Sequence, residues 1–187
     1  MKKILLLTLV AFLSYASAQT TPHSASDKKP KIVSLHSGEP ELITYDAGTV
    51  RYLATADDTN GAWSLVELTE KPGYKTRLHR HIYTDEAYYV LEGVLTAQIG
   101  EKRYDLPAGS YILIPHGTPH AQGNLGKAPV RVLLTMTPSG FEESFRDRAD
   151  LIKTAKPDDP NFIKKREEMM IKKKYDREFL GDWNPEK

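Results

Sequence analysis

Gly73-Tyr-Lys-Thr-Arg77-Leu-His79-Arg-His81-Ile-Tyr-Thr-Asp-Glu86-Ala-Tyr88-Tyr-Val90-Leu-Glu-Gly93, followed fifteen residues later by Gly109-Ser-Tyr-Ile-Leu-Ile-Pro115-His116-Gly117-Thr-Pro119-His120-Ala-Gln122-Gly-Asn124, is the most informative stretch of this chain. His79 and His81 stand two apart in β-type sequence, so both imidazoles leave the backbone on one face and can chelate one ion. Residues 82–85 read as a turn, after which Glu86 opens a new β-rich run and brings a carboxylate back beside the imidazoles. His120 supplies a fourth ligand from far along the chain. A lone His-x-His says little, since such pairs occur on many exposed strands. Here the four ligands are set among glycines and prolines suited to strand ends and corners.

The 187 residues include no cysteine, so neither disulfides nor thiolate ligands are available, and an ion must be held by nitrogen and oxygen. Such donors suit one divalent first-row transition ion without choosing among Mn, Fe, Ni, Cu and Zn. Three His and one Glu leave one or two coordination positions open, the feature that separates a site able to take water, dioxygen or substrate from a closed structural one. Side-chain alternation adds neighbours. If His79 and His81 point inward, so does Arg77; by the same parity Tyr88 and Val90 join Glu86, and Gln122 joins His120. Arg77, Tyr88 and Gln122 are therefore the candidate substrate contacts. His116, between Pro115 and Gly117, is expected to be exposed, and His23 and His36 lie outside the pattern.

Moving outward, β-type runs at 32–36, 41–45, 49–54 and 62–69 precede the metal stretch, and runs at 75–81, 86–91, 94–99, 102–106, 110–114 and 130–136 continue it. Thr59-Asn-Gly61 marks a turn, because Asn and Gly tolerate positive φ. Many short strands with Gly and Pro punctuation imply an all-β fold, a single double-sheet jelly roll over residues 31–137. Residues 138–187 form a helical extension with two short helices. Ser139-Gly-Phe141-Glu142 has capping-box spacing and starts a helix that places Phe141 and Phe145 on one face with Leu151 or Ile152. Asp159 caps a second helix with Pro160 at its first position, running to about 175. Its stripe of Phe162, Ile163, Met169 and Met170 packs on the barrel; a homodimer contact is the alternative.

Met1-Lys-Lys, an apolar run over residues 4–13 and Ala16-Ser-Ala18 have the order of a secretory signal peptide, so residues 1–18 are expected to be removed on export to the periplasm or beyond the cell. Residues 19–30, polar and nearly free of apolar side chains, read as a disordered tether. No later segment reaches the ~20 apolar residues of a membrane span. Lys and Arg number 26 against 25 Asp and Glu, interspersed, which points to neither nucleic acid nor a membrane surface as partner and leaves a small molecule.

Both parts of the metal stretch resemble the two signature motifs of the cupin family: Gly, five residues, His-x-His, four residues, Glu, six residues, Gly; then Gly, five residues, Pro-x-Gly, two residues, His, three residues, Asn. Every position is matched. Thr59-Asn-Gly61-Ala, Asp85-Glu86-Ala-Tyr88-Tyr-Val90-Leu-Glu-Gly93, Thr137-Pro-Ser-Gly-Phe141-Glu-Glu-Ser-Phe145 and a closing helix ending near Tyr175 and Phe179-Leu-Gly181 look like small single-domain cupins of the quercetin 2,3-dioxygenase-like kind. This resemblance implies an ion on His79, His81, Glu86 and His120. In quercetinases the Glu also takes the flavonol hydroxyl proton, and dioxygen cleaves the heterocycle with release of carbon monoxide; carried over, Glu86 is ligand and catalytic base. Characterised quercetinases frequently have two barrels and this chain has one, so a metallo-cupin that binds a small ligand or sugar without catalysis is the alternative.

Overall fold

A computed structural model describes residues 30–36 and 38–185. The signal-peptide expectation and, apart from Pro30, the tether expectation lie outside these residues. Among the described residues, eleven strands form two antiparallel sheets. β1 (Ile43–Tyr45), β2 (Gly48–Ala54), β3 (Ser64–Glu70), β10 (Val130–Thr137), β5 (Asp85–Glu92) and β8 (Tyr111–Ile114) lie side by side in that order in one sheet. β11 (Glu178–Gly181), β4 (Leu78–Arg80), β9 (His120–Gly123), β6 (Val94–Ile99) and β7 (Lys102–Pro107) make the other.

Alternation explains the layering. In β10, Val130, Val132, Leu134 and Met136 are buried while the residues between them are not, and Val66 and Leu68 of β3 face the same core. Each such side chain contributes roughly 1.5–3 kcal/mol on burial. Gly93 turns the chain between the sheets at φ +79°, where a Cβ would lie 3.0 Å from Pro129 O, so a side chain is blocked twice over.

Two helices close one side of the barrel, α2 (Glu143–Thr154) and α3 (Phe162–Lys172). Phe145 of α2 meets Tyr45 edge-on at 5.4 Å, and Arg148 of α2 and Arg166 of α3 converge on Asp46 in the turn after β1. No helix among the described residues is long and apolar enough to cross a membrane.

Several local expectations are corrected. Residues 32–36 form no strand, because no neighbouring strand pairs with them; Ile32 is 99% exposed. Thr59-Asn-Gly61 has the expected positive φ, but at the end of a four-residue helix, α1 (Ala56–Thr59). Glu142 does not reach back to Ser139; its carboxylate accepts from Ala56 N at 3.1 Å and from Gly140 N. α3 starts after Pro160, since Asp159 is spent on Asn161 N and Lys165. Its buried face is Phe162, Arg166 and Met170, whereas Ile163 is exposed. The last element of the extension is a strand rather than helix: β11 adds to the free edge of β4, with Phe179 opposite His79.

Candidate metal centre

The four candidate ligands reach one point from both sheets. His79 lies in β4 directly opposite His120 at the start of β9, His81 follows β4, and the chain then crosses to the other sheet and delivers Glu86 in β5. All four are buried, and their ligand atoms lie within 4.8 Å of one another.

Each imidazole is oriented by a backbone carbonyl. His79 Nδ1 lies 2.7 Å from Arg77 O, His120 Nδ1 lies 2.8 Å from Thr118 O, and His81 Nδ1 meets Asp176 O. If Nδ1–H donates in each, Nε2 keeps its lone pair, the arrangement by which an outer partner fixes the tautomer of a ligating histidine. The Nε2 atoms of His81 and His120 face Glu86, at 3.4 Å from Oε1 and 3.2 Å from Oε2. His81 Nε2 is buried without a hydrogen-bond partner, an orphan that a cation would satisfy.

Electrostatics agree with that fit. Burial holds His79 well below the usual imidazole range and lowers His81 as well. For Glu86, burial alone would raise the pKa, but attraction to His81 and the contact with His120 outweigh it and hold the carboxyl at about 2. A neutral His79 beside an ionised Glu86 matches the protonation states that metal binding requires.

Beside the ligands lies a cavity of about 20 Å³, lined by His79, Glu86, Tyr88, Glu70, Gln122 and Arg177 among others. At roughly 10–15 Å³ for one water, it holds little more than that. Tyr88 faces inward as expected, its hydroxyl donating to Glu86 Oε2 at 3.2 Å, and Gln122 donates to Glu70 Oε1 at 3.0 Å. Arg77 does not face inward. Lys75 stands opposite Gly123 and His79 opposite His120, four steps on one strand against three on the other, so a one-residue bulge reverses the parity. Thr76 lines the cavity instead, and Arg77 pairs outside with Glu167 at 2.7 Å and Asp182 at 2.8 Å. His116 is exposed, with its backbone N–H donating to Asp85.

A cupin-domain family description matches residues 66–136, which span both ligand-bearing segments. An uncharacterized protein from Methanocaldococcus jannaschii is 34% identical over 97 residues, covering 51% of this chain and 78% of that protein. The chain belongs to the cupin family. A quercetin 2,3-dioxygenase from Bacillus subtilis is 34% identical over 87 residues, 46% of this cupin but only 26% of the enzyme. Among solved structures, KdgF from a Halomonas species superposes with a TM-score of 0.51 at 18% identity, covering 57% of this chain and 95% of that one, a likeness of fold.

Three residues of this cupin's site lie outside both motifs. Glu70, at the end of β3, has an unpartnered Oε2, and burial raises its pKa to about 7. Arg177 reaches the cavity from the segment before β11, and Asp176 anchors His81. The one signal open to sequence reading was parity: Glu70 shares a face with Val66 and Leu68 and so points into the barrel.

Proposed function

We propose that this cupin is a metal-dependent dioxygenase acting on a small enolisable or aromatic molecule. The observation that carries the reading is Glu86, a buried carboxylate set between His81 and His120 with Tyr88 donating to one of its oxygens. A divalent first-row ion held by His79, His81, Glu86 and His120 would supply a Lewis-acidic centre with positions left for substrate and dioxygen. Glu86 would then have two tasks, offsetting the ion's charge and accepting a substrate proton through the oxygen that the ion leaves uncoordinated. Tyr88 steadies the carboxylate as the proton arrives. Phe141 packs edge-on against His81 at 4.4 Å and lines both the cavity and an outer groove of about 500 Å³, so it is the side chain that a substrate larger than water would have to move on that side. The likeness to quercetin 2,3-dioxygenase supports an oxygenase over part of the chain. Export is part of the same proposal, supported by the charged, apolar and small-residue order of residues 1–18.

A second reading, a metallo-cupin that binds a small ligand or sugar without catalysis, is favoured by the small size of the cavity. Dioxygen uptake over a panel of enolisable substrates, with each first-row ion loaded in turn, separates the two. At equal metal content, Glu86→Gln is expected to lower turnover ~10²–10⁴-fold, the usual contribution of a general base. Near-wild-type turnover would leave Glu86 as a ligand alone; no uptake with any ion and substrate would favour the binding module.

A further inference from the structure

Three arginines line or approach the barrel interior, and one of them is left without a carboxylate. Arg148 Nε lies 2.6 Å from Asp46 Oδ1, and Arg166 Nη1 lies 2.8 Å from Asp46 Oδ2. Arg177 forms no ion pair among the described residues, and its Nε is buried without a partner. Its Nη2 lies 3.0 Å from His79 Nδ1, but that nitrogen already faces Arg77 O at 2.7 Å. A neutral His79 that offers Nε2 to an ion carries its hydrogen on Nδ1, which then has no lone pair for Arg177. As an arginine it is a cation at neutral pH.

The Phe179 ring lies 5.2 Å from the Arg177 Cζ, but a largely buried guanidinium with no carboxylate within hydrogen-bond reach is costly unless something completes it. The cavity it lines also contains Glu86 and Glu70. With a divalent ion in place, the charges of ion and Arg177 exceed those of the two carboxylates even when Glu70 is ionised. The loaded cavity therefore calls for an anion, and a planar guanidinium is shaped to take a carboxylate through two hydrogen bonds.

We propose that Arg177 receives the carboxylate of a small organic acid, so that the molecules accepted at this site are carboxylates. This rests on the metal-centre reading above and names the substrate class. The test uses the zinc-loaded protein, in which no dioxygen chemistry is required, so that failure here is distinct from failure of the oxygenase proposal. Calorimetric titration compares acetate, lactate, pyruvate and oxalate, each against its uncharged amide. At least one acid is expected to bind saturably and more than about tenfold tighter than its amide. Arg177→Gln should remove that preference, weakening the acid on the order of 10–100-fold while zinc content and amide binding stay unchanged. Arg177→Lys, which keeps the charge but not the fork, should restore part of it and serves if the Gln variant does not fold. Equal affinity for acid and amide, no saturable acid binding, or full acid preference in Arg177→Gln would overturn the assignment.

Discussion

Two clusters of buried charge in this barrel are finished in opposite ways. At Asp46 the carboxylate is taken up by Arg148 and Arg166 at 2.6 and 2.8 Å, and Arg148 also donates to Tyr74 OH at 2.9 Å. Around Glu86, by contrast, His81 Nε2, Glu70 Oε2, Gln122 Oε1 and Arg177 Nε are all buried without partners. Folding supplies partners for buried polar groups wherever it can, because an unpaired one costs about 1–3 kcal/mol and a charge more. The first cluster ties both helices to the barrel; the second is incomplete as protein alone. Other buried atoms without partners, such as Ser64 Oγ and Arg131 Nε, lie scattered through the scaffold; at the site four of them gather around one carboxylate, and that gathering sets it apart.

The largest effect should come from breaking the complete cluster. Asp46→Ala leaves two buried guanidinium groups uncompensated and is expected to cost about 3–5 kcal/mol in urea unfolding, with metal stoichiometry of the folded protein unchanged. The same clasp sets an acid limit. Burial opposes ionisation of Asp46, but its two arginines prevail and lower its pKa from 3.8 to about 2. Its contribution is therefore full above the unfolded value and is lost as pH falls from 3.8 towards about 2, a change of about 2 kcal/mol. A loss below about 1 kcal/mol in Asp46→Ala would mean that the cluster is not structural.

Glu70 tests the incomplete cluster from the opposite direction. Its pKa rises from 4.5 to about 7 by burial, so between these values the unfolded chain has released a proton that the folded chain retains. The contribution of Glu70 to the stability of the metal-free protein should therefore fall as pH rises through that window, by about 3 kcal/mol. Glu70→Gln removes the titration. The buried His79 and His81 act in the opposite sense below the ordinary imidazole value, so the effect is read as a difference between proteins. The stability gap between wild type and Glu70→Gln, from urea unfolding, should change by about 3 kcal/mol between pH 5 and pH 8, and a gap that does not move with pH would show that Glu70 is not the group responsible.

The motif residues were legible because each answers a local demand: a strand that points two imidazoles one way, a corner that excludes a Cβ, a turn that returns a carboxylate. Tyr88 and Gln122 followed from the same alternation. Arg77 did not, because one bulged residue between Lys75 and His79 reverses parity, and the sequence carries no mark of it. Arg177 and Asp176 were hidden for another reason: they arrive through β11, whose four residues become a strand only by pairing with β4. α1, at four residues, is too short for any hydrophobic period to reveal.

Asp176 joins the two kinds of chemistry and gives the smallest expected effect. Its carbonyl orients His81, while its carboxylate accepts from the backbone N–H groups of Ile82, Tyr83 and Thr84 at 2.8, 2.9 and 2.8 Å. Burial resists ionisation of this group, but hydrogen bonds from Tyr83, Thr84 and Ile82 outweigh it and lower its pKa. The loop they hold is the link between His81 and Glu86, so the carboxylate sets the separation of two candidate ligands without touching either. Asp176→Ala keeps the carbonyl and frees the loop. Metal affinity is expected to fall roughly 10–100-fold, the range for partners that support ligands from outside. Amide exchange of residues 82–84 should quicken in the same protein, with the Asp46 clasp unaffected. Unchanged affinity despite faster exchange would show that β4 and β5 place His81 and Glu86 by themselves; lost affinity without faster exchange would place the effect at His81 rather than in the loop.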